Sequence, residues 1–466
     1  MNNSLTLQGA SSATVTVTAA INTASVFTVT ASNVNISGFT VSGATGGGQA
    51  GIFLGAGVAN CNISNNILTG SFDGIWLGSG SNHNTITNNT LSNNYQGFEV
   101  YISDHNTFTS NTANSNNNYG FKIDSGNHNE FTSNIANSNT KNGFYVVTGD
   151  GGGCTNTIFT DNTANLNTEY GIRINGGSGN TLKENTFDSN VISGIRLKET
   201  MSTLTLKGNT FSNNPIGIEI TDSVDDVSTW IVSHNNIERN TAYGISNDAV
   251  TGTLDAENNW WGDASGPTHA SNPGGTGDAV SDNVDYDPWL GAELTEVKLE
   301  TISGSGTMTD TAIGGQVTIN GVGNHTITTA AYANNPGGAC PFISEGSYYD
   351  VHLDSAANVT SLTVQFCPAY ENEVIYFWNS AAWVEASNQV DSGGCIVLTI
   401  TDETMPSLSD LTGTPFGQGF LPPVGGEAYP VNKAGLILPW IALGMAIIAG
   451  GFIVMKRRSS VRLLRR

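Results

Sequence analysis

One position in a short repeated motif carries most of the side chains that could do chemistry in the first half of this sequence. The motif is a glycine, a large apolar residue, a variable residue and usually a second apolar residue, as in Gly97-Phe98-Glu99-Val100. Side chains alternate between the two faces of a strand, so the variable residue must face away from its apolar neighbours. The variable residues form what we call the outer column: Phe53, Trp76, Glu99, Lys122, Tyr145, Arg173, Arg196 and Glu219.

The outer column combines aromatic rings, which can stack on sugar rings, with charged groups that can bind hydroxyls or uronates. Exposed aromatic side chains also mark interaction surfaces. We therefore expect the outer column to bind a polysaccharide or a cell-surface glycan. The alternative is a solvated face on which opposite charges pair between neighbouring strands, as Glu99 with Lys122 and Arg196 with Glu219 would.

Glu99 and Asp124 are the candidate catalytic residues. They lie one repeat and two residues apart, and strand geometry predicts roughly 8 Å between their Cα atoms. Two carboxylates at such a separation suit an inverting glycoside hydrolase. The sequence lacks the Asn-Thr-Asp, Gly-His-Gly and Arg-Ile-Lys motifs of polygalacturonases. Binding is therefore a stronger expectation than catalysis.

Three histidines form a second candidate site. His83, His105 and His128 are each followed by asparagine and fall in three successive repeats. Imidazoles stacked about 4.8 Å apart could hold a divalent cation such as Zn²⁺ or Cu²⁺ between them. The alternative is a polar ladder of turn residues. Nothing else in the sequence indicates a cofactor.

The spacing of the motif predicts the fold. Its glycines are 23 residues apart in six of eight steps: Gly51, Gly74, Gly97, Gly120, Gly143, Gly171, Gly194, Gly217 and Gly244. A series of asparagines keeps the same phase: Asn66, Asn89, Asn111, Asn134, Asn162, Asn185, Asn209, Asn236 and Asn259. A period this regular is typical of a solenoid.

Each repeat contains two or three short β-type runs separated by Asn, Ser and Gly turns. The apolar residues must fill the inside of the solenoid, because a single coil cannot bury its own apolar face. Asparagine suits the turns, since it tolerates left-handed backbone angles and its amide can hydrogen-bond along the stack. The sequence therefore predicts an all-β right-handed parallel β-helix with coils of about 23 residues over residues 1–290.

Composition excludes one class of partner. The formal net charge is −23 and only 12% of the residues are charged. Six of the 16 basic residues lie at or beyond Lys456, so the preceding chain is more acidic still. A surface of this kind repels nucleic acid.

Residues 291–412 have a different pattern. The 23-residue period stops and alternating runs appear, such as Leu362-Thr363-Val364-Gln365-Phe366. These runs predict a small antiparallel β-sandwich. Cys340, Cys367 and Cys395 lie in this segment, and outside the cell one disulfide is expected among them, with the pairing open.

The last segments predict a membrane anchor. A Gly/Pro linker occupies residues 413–433, and Ala434 to Met455 is a run of 22 residues without a charge. This run is long enough to cross a bilayer as a transmembrane helix. The basic tail, residues 456–466, would stay in the cytoplasm by the positive-inside rule. We expect a single-pass protein of the cell membrane with most of the chain extracellular.

The first residues predict that the chain begins inside the solenoid. Asn3 to Gly9 already have the pattern of a strand and turn, with no charged and apolar leader before them. We therefore expect a signal peptide and the N-terminal cap to lie upstream.

The repeats close on Asn258-Asn259-Trp260-Trp261-Gly262, followed by Gly266-Pro267 and Asp287-Pro288-Trp289. Over roughly residues 1–290 the chain resembles NosD-like proteins of the pectin-lyase-fold group, which are exported prokaryotic proteins. The resemblance implies a β-helix. It does not imply one activity, because that group includes lyases, hydrolases, epimerases and adhesins.

The sequence thus favours a membrane-anchored surface protein whose β-helix presents a face for glycan or cell-surface contact. Two alternatives stay open. One is a polysaccharide hydrolase or lyase on the same fold, and the other is a structural stalk or surface-layer component.

Overall fold

The computed structural model describes residues 5–149 and 153–422. Parallel strands of three to six residues dominate its first part, and each strand pairs with its counterpart one coil away. The predicted parallel β-solenoid is confirmed. Ten coils contribute to the sheet that carries the outer column, with strands Phe27–Val29, Ala50–Leu54, Asp73–Leu77, Gln96–Tyr101, Phe121–Asp124, Phe144–Val147, Tyr170–Asn175, Ser193–Lys198, Ile216–Ile220 and Tyr243–Asn247.

A twelve-stranded sheet forms the second side of the solenoid. Its strands are Leu5–Gln8, Val34–Ser37, Asn62–Ser64, Thr85–Thr87, Thr107–Thr109, Glu130–Thr132, Ile158–Thr160, Asn180–Lys183, Leu204–Lys207, Ile231–Ser233, Leu254–Asp255 and Val284–Asp285. The third side is a five-stranded sheet and a three-stranded sheet: Thr16–Thr18, Thr40–Ser42, Ile67–Thr69, Thr90–Ser92 and Thr112–Asn114, then Thr186–Asp188, Thr210–Ser212 and Asn236–Glu238. A short pair, Pro267–Thr268 and Gly277–Ala279, follows near the closing end.

Stacked side chains fill the solenoid. Phe98, Phe121 and Phe144 are fully buried and stack with ring centroids 4.4 and 4.8 Å apart. Phe108 and Phe131, from the twelve-stranded sheet, meet Phe121 edge to face. Offset and edge-to-face aromatic contacts add to the free energy gained by burial alone. The repeated apolar positions of the motif therefore face inward, as predicted.

Buried asparagine amides form a second continuous stack. Asn111 Nδ2 donates to Asn134 Oδ1 at 3.0 Å and to the carbonyl of Ile86 at 2.8 Å. Its Oδ1 accepts from the backbone N–H and the amide of Asn89. Each coil therefore satisfies polar groups of the next. The predicted stack is present with one correction: Asn235, not Asn236, occupies the position between Asn209 and Asn259.

The chain after the solenoid forms two antiparallel sheets around their own apolar core. The six-stranded sheet contains Leu294–Ser303, Asn324–Tyr332, Ile343–Leu353, Glu373–Trp378, Trp383–Glu385 and Thr412–Phe420. The five-stranded sheet contains Gly306–Asp310, Gly315–Gly321, Val359–Phe366, Gln389–Asp391 and Ile396–Ile400. A single 3₁₀ turn spans Leu408–Asp410.

Two details of this part go beyond or correct the sequence analysis. Cys367 and Cys395 form a disulfide, and Cys340 is a free, half-buried thiol. The strand Thr412–Phe420 belongs to the six-stranded sheet, so the predicted linker at residues 413–433 is wrong over residues 413–420. Phe416, which is fully buried, explains the difference, because it packs against Phe366 of the opposite sheet.

The predicted transmembrane helix at residues 434–455 lies outside the described residues, as do the basic tail and the linker from residue 423 onward. Within the part of the chain that the structure describes, no helix combines the length and the apolar character needed to span a membrane.

The asparagine stack generates a stability prediction. Asn111→Ala should lower the free energy of unfolding by about 2–4 kcal/mol, because it leaves buried partners such as the Asn89 N–H and the Ile86 carbonyl unpaired. Urea unfolding followed by circular dichroism measures the change. Asn93→Gly is the matched control, since Asn93 is an exposed asparagine with a left-handed backbone. Equal stability of the two variants would contradict a structural role for the stack.

Candidate functional site

The outer column is assembled as predicted, with each member directly opposite the next across the ten-stranded sheet. Register pairs join Phe53 to Trp76, Trp76 to Glu99 and so on through Arg196 and Glu219. All eight side chains are half-buried. Parallel pairing fixes the backbones of neighbouring strands about 4.8 Å apart, so successive members of the outer column form one continuous surface.

The first zone of the outer column is aromatic. The Phe53 and Trp76 rings lie 4.5 Å apart between centroids. Phe53 extends over Gly78, where an added Cβ would be only 3.1 Å from the ring. This glycine therefore leaves room for the ring to lie along the sheet surface.

The second zone is an ion cluster. Lys122 Nζ lies 2.8 Å from Glu99 Oε1 and 3.3 Å from Asp124 Oδ2. The two candidate catalytic carboxylates are therefore bridged by an ammonium group, whereas inverting hydrolysis needs space for a water between them. This arrangement favours a binding role for Glu99 and Asp124 over the predicted acid–base pair.

Asp73 joins this cluster and was missed by the sequence analysis. Gln96 Nε2 donates to Asp73 Oδ1 at 3.0 Å and to Glu99 Oε2 at 3.3 Å. Burial, and then the neighbouring charge of Glu99, raises the pKa of Asp73 to about 8. Among the described residues, Asp73 Oδ2 has no hydrogen-bond partner. The only sequence signal was its position, immediately before a motif glycine.

The third zone is basic and aromatic. The Arg173 guanidinium lies 5.3 Å from the Tyr145 ring centroid, and Arg196 lies 5.2 Å from that of Tyr170. Arg196 Nε is also 3.5 Å from Glu219 Oε1. These cation–π contacts hold both guanidinium groups against the sheet. Tyr170, like Asp73, precedes a motif glycine and was not among the predicted site residues.

The three histidines form a ladder of turn residues, which was the alternative to a metal site. His83, His105 and His128 have left-handed backbones, and their rings stack 5.0 and 4.8 Å apart with nearly parallel planes. Imidazole lone pairs lie in the ring plane, so parallel rings do not aim them at a common point. Within residues 5–149 and 153–422, no group of three or more His, Cys, Asp or Glu side chains could hold a metal ion.

Comparison with known proteins identifies one family. The family model described as "Right handed beta helix region" matches residues 19–155 and 150–260. No curated protein is significantly similar in sequence.

Several solved structures are similar to part of this chain. The mannuronan C-5 epimerase AlgE6 A-module of Azotobacter vinelandii is 16% identical, and the match covers 61% of this chain and 83% of that one with a TM-score of 0.46. The periplasmic alginate epimerase AlgG is 14% identical over 48% of this chain and 59% of its own, with a TM-score of 0.41. Pectate lyase Pel9A is 16% identical over 43% and 62%, with a TM-score of 0.33. At these identities the likeness concerns the fold alone.

The raised pKa of Asp73 predicts how stability depends on pH. An acid whose pKa is higher in the folded than in the unfolded chain binds its proton more tightly when folded. Asp73 therefore lowers the free energy of unfolding progressively as pH rises from about 4, its pKa in the unfolded chain, to about 8, its pKa in the folded chain. Asp73→Asn should remove this pH-dependent destabilisation. The melting temperature of the variant should therefore exceed that of the wild type at pH 8, and the difference should be smaller at pH 4.

Melting temperatures measured across this pH range test the prediction. Asp222→Asn, at an exposed carboxylate, is the control and should follow the wild type. Parallel curves for wild type and Asp73→Asn would contradict the argument.

Proposed function

Because this chain belongs to the right-handed β-helix family, we propose that it binds polysaccharide along the outer column as a membrane-anchored protein of the cell surface. The observation that carries the proposal is the column itself. Aromatic, ionic and arginine-rich zones follow one another without a break on one sheet. A linear polymer with repeating sugar units is the ligand whose shape matches such a surface.

Acidic polysaccharides fit the charges best. The protein is strongly acidic overall, so it repels polyanions except where cations are concentrated. Arg173 and Arg196 supply such a place, and guanidinium groups bind carboxylates or sulfates with two parallel hydrogen bonds. Phe53 and Trp76 would hold a sugar ring of the same polymer by stacking. The closing motif at Trp260-Trp261 supports a place among NosD-like proteins within the family.

A polysaccharide hydrolase or lyase is the second candidate, and Asp73 is the observation that favours it. A carboxyl group with a pKa of about 8 stays protonated at neutral pH and could donate a proton, with Glu99 beside it. Asp73 is fully buried, however, so a sugar would reach it only after surrounding side chains such as its partner Gln96 moved. Because of this burial, we favour a binding function over a catalytic one.

The membrane anchor in this proposal rests on the sequence of residues 434–466. A charge-free run of 22 residues precedes a tail with six basic residues and no acidic one. In this orientation the β-helix and the disulfide Cys367–Cys395 lie outside the cell, where disulfides persist.

Binding is tested by affinity electrophoresis and calorimetry of the full chain with acidic and neutral polysaccharides. Trp76→Ala and Arg173→Ala should each weaken binding of an acidic polymer about tenfold, the effect of losing about 1.4 kcal/mol. Tyr370→Ala removes an exposed aromatic ring from the other part of the chain and is the control.

Unchanged affinity in both outer-column variants would refute the proposed surface. Release of reducing ends or unsaturated sugars, measured in the same samples and lost in Glu99→Gln, would replace binding by catalysis. Failure to bind any polymer would favour the structural stalk.

Topology is a separate prediction. With a signal peptide added in front of residue 1, the full chain should fractionate with membranes. Protease added to intact cells should release a fragment that ends between residues 423 and 433. A released fragment is expected because the predicted linker there is rich in glycine and proline. An ectodomain that stays protected although it is exported would contradict the orientation.

A further inference from the structure

Two adjoining hollows lie near the closing end of the solenoid, and none of their described lining residues belongs to the outer column. The larger, about 690 Å³, is lined by residues of both parts, and the smaller is about 380 Å³. Trp289 and Asp287 line both hollows, and we call the two hollows together the groove. Its volume is within the range of sites that bind small organic ligands.

Two half-buried tryptophans give the groove flat walls. Trp289 comes from the closing segment of the solenoid and Trp378 from the sandwich. Each indole lies against a glycine: a Cβ added at Gly266 would be 2.5 Å from Trp289, and one added at Gly337 would be 2.7 Å from Trp378. The Trp289 Nε1 also donates to the carbonyl of Ala264 at 3.1 Å. Both rings are therefore held in place on one side.

The polar groups of the groove are acidic or neutral. Asp287 and Asp410 are exposed on its lining, together with amides and hydroxyls. Of the described residues that line the two hollows, none is lysine or arginine. The field around the groove is negative: burial, and then the charges of Asp255, Asp285 and Asp287, raises the pKa of the nearby Glu257. A uronate or a sulfated sugar would be repelled.

The smaller hollow adds a network of hydroxyl groups. Ser271 Oγ lies 2.5 Å from the Tyr286 hydroxyl and 2.7 Å from His269 Nδ1. His269 Nε2 in turn lies 3.2 Å from Asp282 Oδ1. Hydroxyl and imidazole groups can both donate and accept hydrogen bonds, as the hydroxyls of a sugar require.

We propose that this groove, bounded by Trp289 and Trp378, is a second binding site and that its ligand is an uncharged oligosaccharide. Flat aromatic walls contact sugar rings, carboxylates and hydroxyls accept and donate hydrogen bonds, and the absence of cations from the lining rejects acidic sugars. The site needs both parts of the chain, because each supplies one tryptophan. It is independent of the outer column, whose arginines favour an acidic polymer.

Calorimetry of the full chain with neutral hexasaccharides of glucose, mannose and N-acetylglucosamine, and with oligogalacturonate, tests the proposal. At least one neutral hexasaccharide should bind saturably. Trp378→Ala should weaken that binding at least tenfold, whereas Trp76→Ala on the outer column and Tyr370→Ala elsewhere on the sandwich should leave it unchanged.

Ser409→Trp provides a second variant if Trp378→Ala fails to fold. Ser409 is exposed and lines the larger hollow, so a large side chain there should block the groove without altering a core. Oligogalacturonate binding should survive in the Ser409→Trp variant.

The proposal is overturned if none of the neutral hexasaccharides binds, or if the folded Ser409→Trp variant binds them as the wild type does. Loss of neutral binding in Trp76→Ala would also overturn it, by moving the site to the outer column. If Trp76→Ala loses oligogalacturonate binding but keeps neutral binding, the result supports the function proposed for the outer column and the independence of the groove.

Discussion

The constraint on which this structure depends is the pairing of buried asparagine amides between successive coils. An amide enclosed in a protein interior is costly unless its donors and acceptors are paired. Asn134 meets this requirement only because the next coil presents Asn162 Oδ1 at 3.0 Å and the preceding coil presents the Phe108 carbonyl at 2.9 Å. A coil that slipped by one residue would lose all these bonds together, so the stack fixes the register.

Fixed register has a direct consequence for the outer face. Because equivalent residues lie one above another, any charge on the sheet meets a neighbour at the same position in the next coil. Like charges in adjacent coils would repel each other. Glu99 and Lys122 are adjacent and opposite in charge, whereas in the adjacent pair Arg173 and Arg196 each guanidinium lies on a tyrosine ring. The neighbours of a surface residue are therefore set by the interior of the solenoid.

Periodicity was sufficient to predict the solenoid and the members of the outer column, because both follow from equal spacing and strand alternation. It could not predict groups that depend on local backbone geometry. Asp73 and Tyr170 precede motif glycines and are buried, and simple alternation does not predict that they lie beside Glu99 and Arg196. The asparagines were expected to adopt left-handed angles, but that conformation belongs to the residue before each of them, as at Ser110 and Ser133.

The sandwich was predictable as a class from alternating apolar runs, but its attachment was not, because two of its ion pairs join residues more than one hundred positions apart. His234 of the solenoid lies 2.9 Å from Asp350 of the sandwich, and both side chains are fully buried. Lys207 lies 2.8 Å from Asp354; burial alone would raise the pKa of Asp354, but the hydrogen bond from His352 and the charge of Lys207 lower it to about 2. The buried pair His234–Asp350 tolerates little displacement, since separating it would leave polar side chains without a partner away from water.

The same two pairs bear on the proposed groove as well as on architecture. Trp289 and Trp378 belong to different parts of the chain, so the groove between them keeps its width only if the two parts keep a fixed orientation. Pairing His234 with Asp350 and Lys207 with Asp354 restricts that orientation without placing any cation in the groove itself. Lys207 is buried where it joins the two parts, whereas Arg173 and Arg196 lie on the outer column. The groove lined by Asp287 and Asp410 is left with a negative field, so a ligand's charge decides which of the two surfaces it can approach.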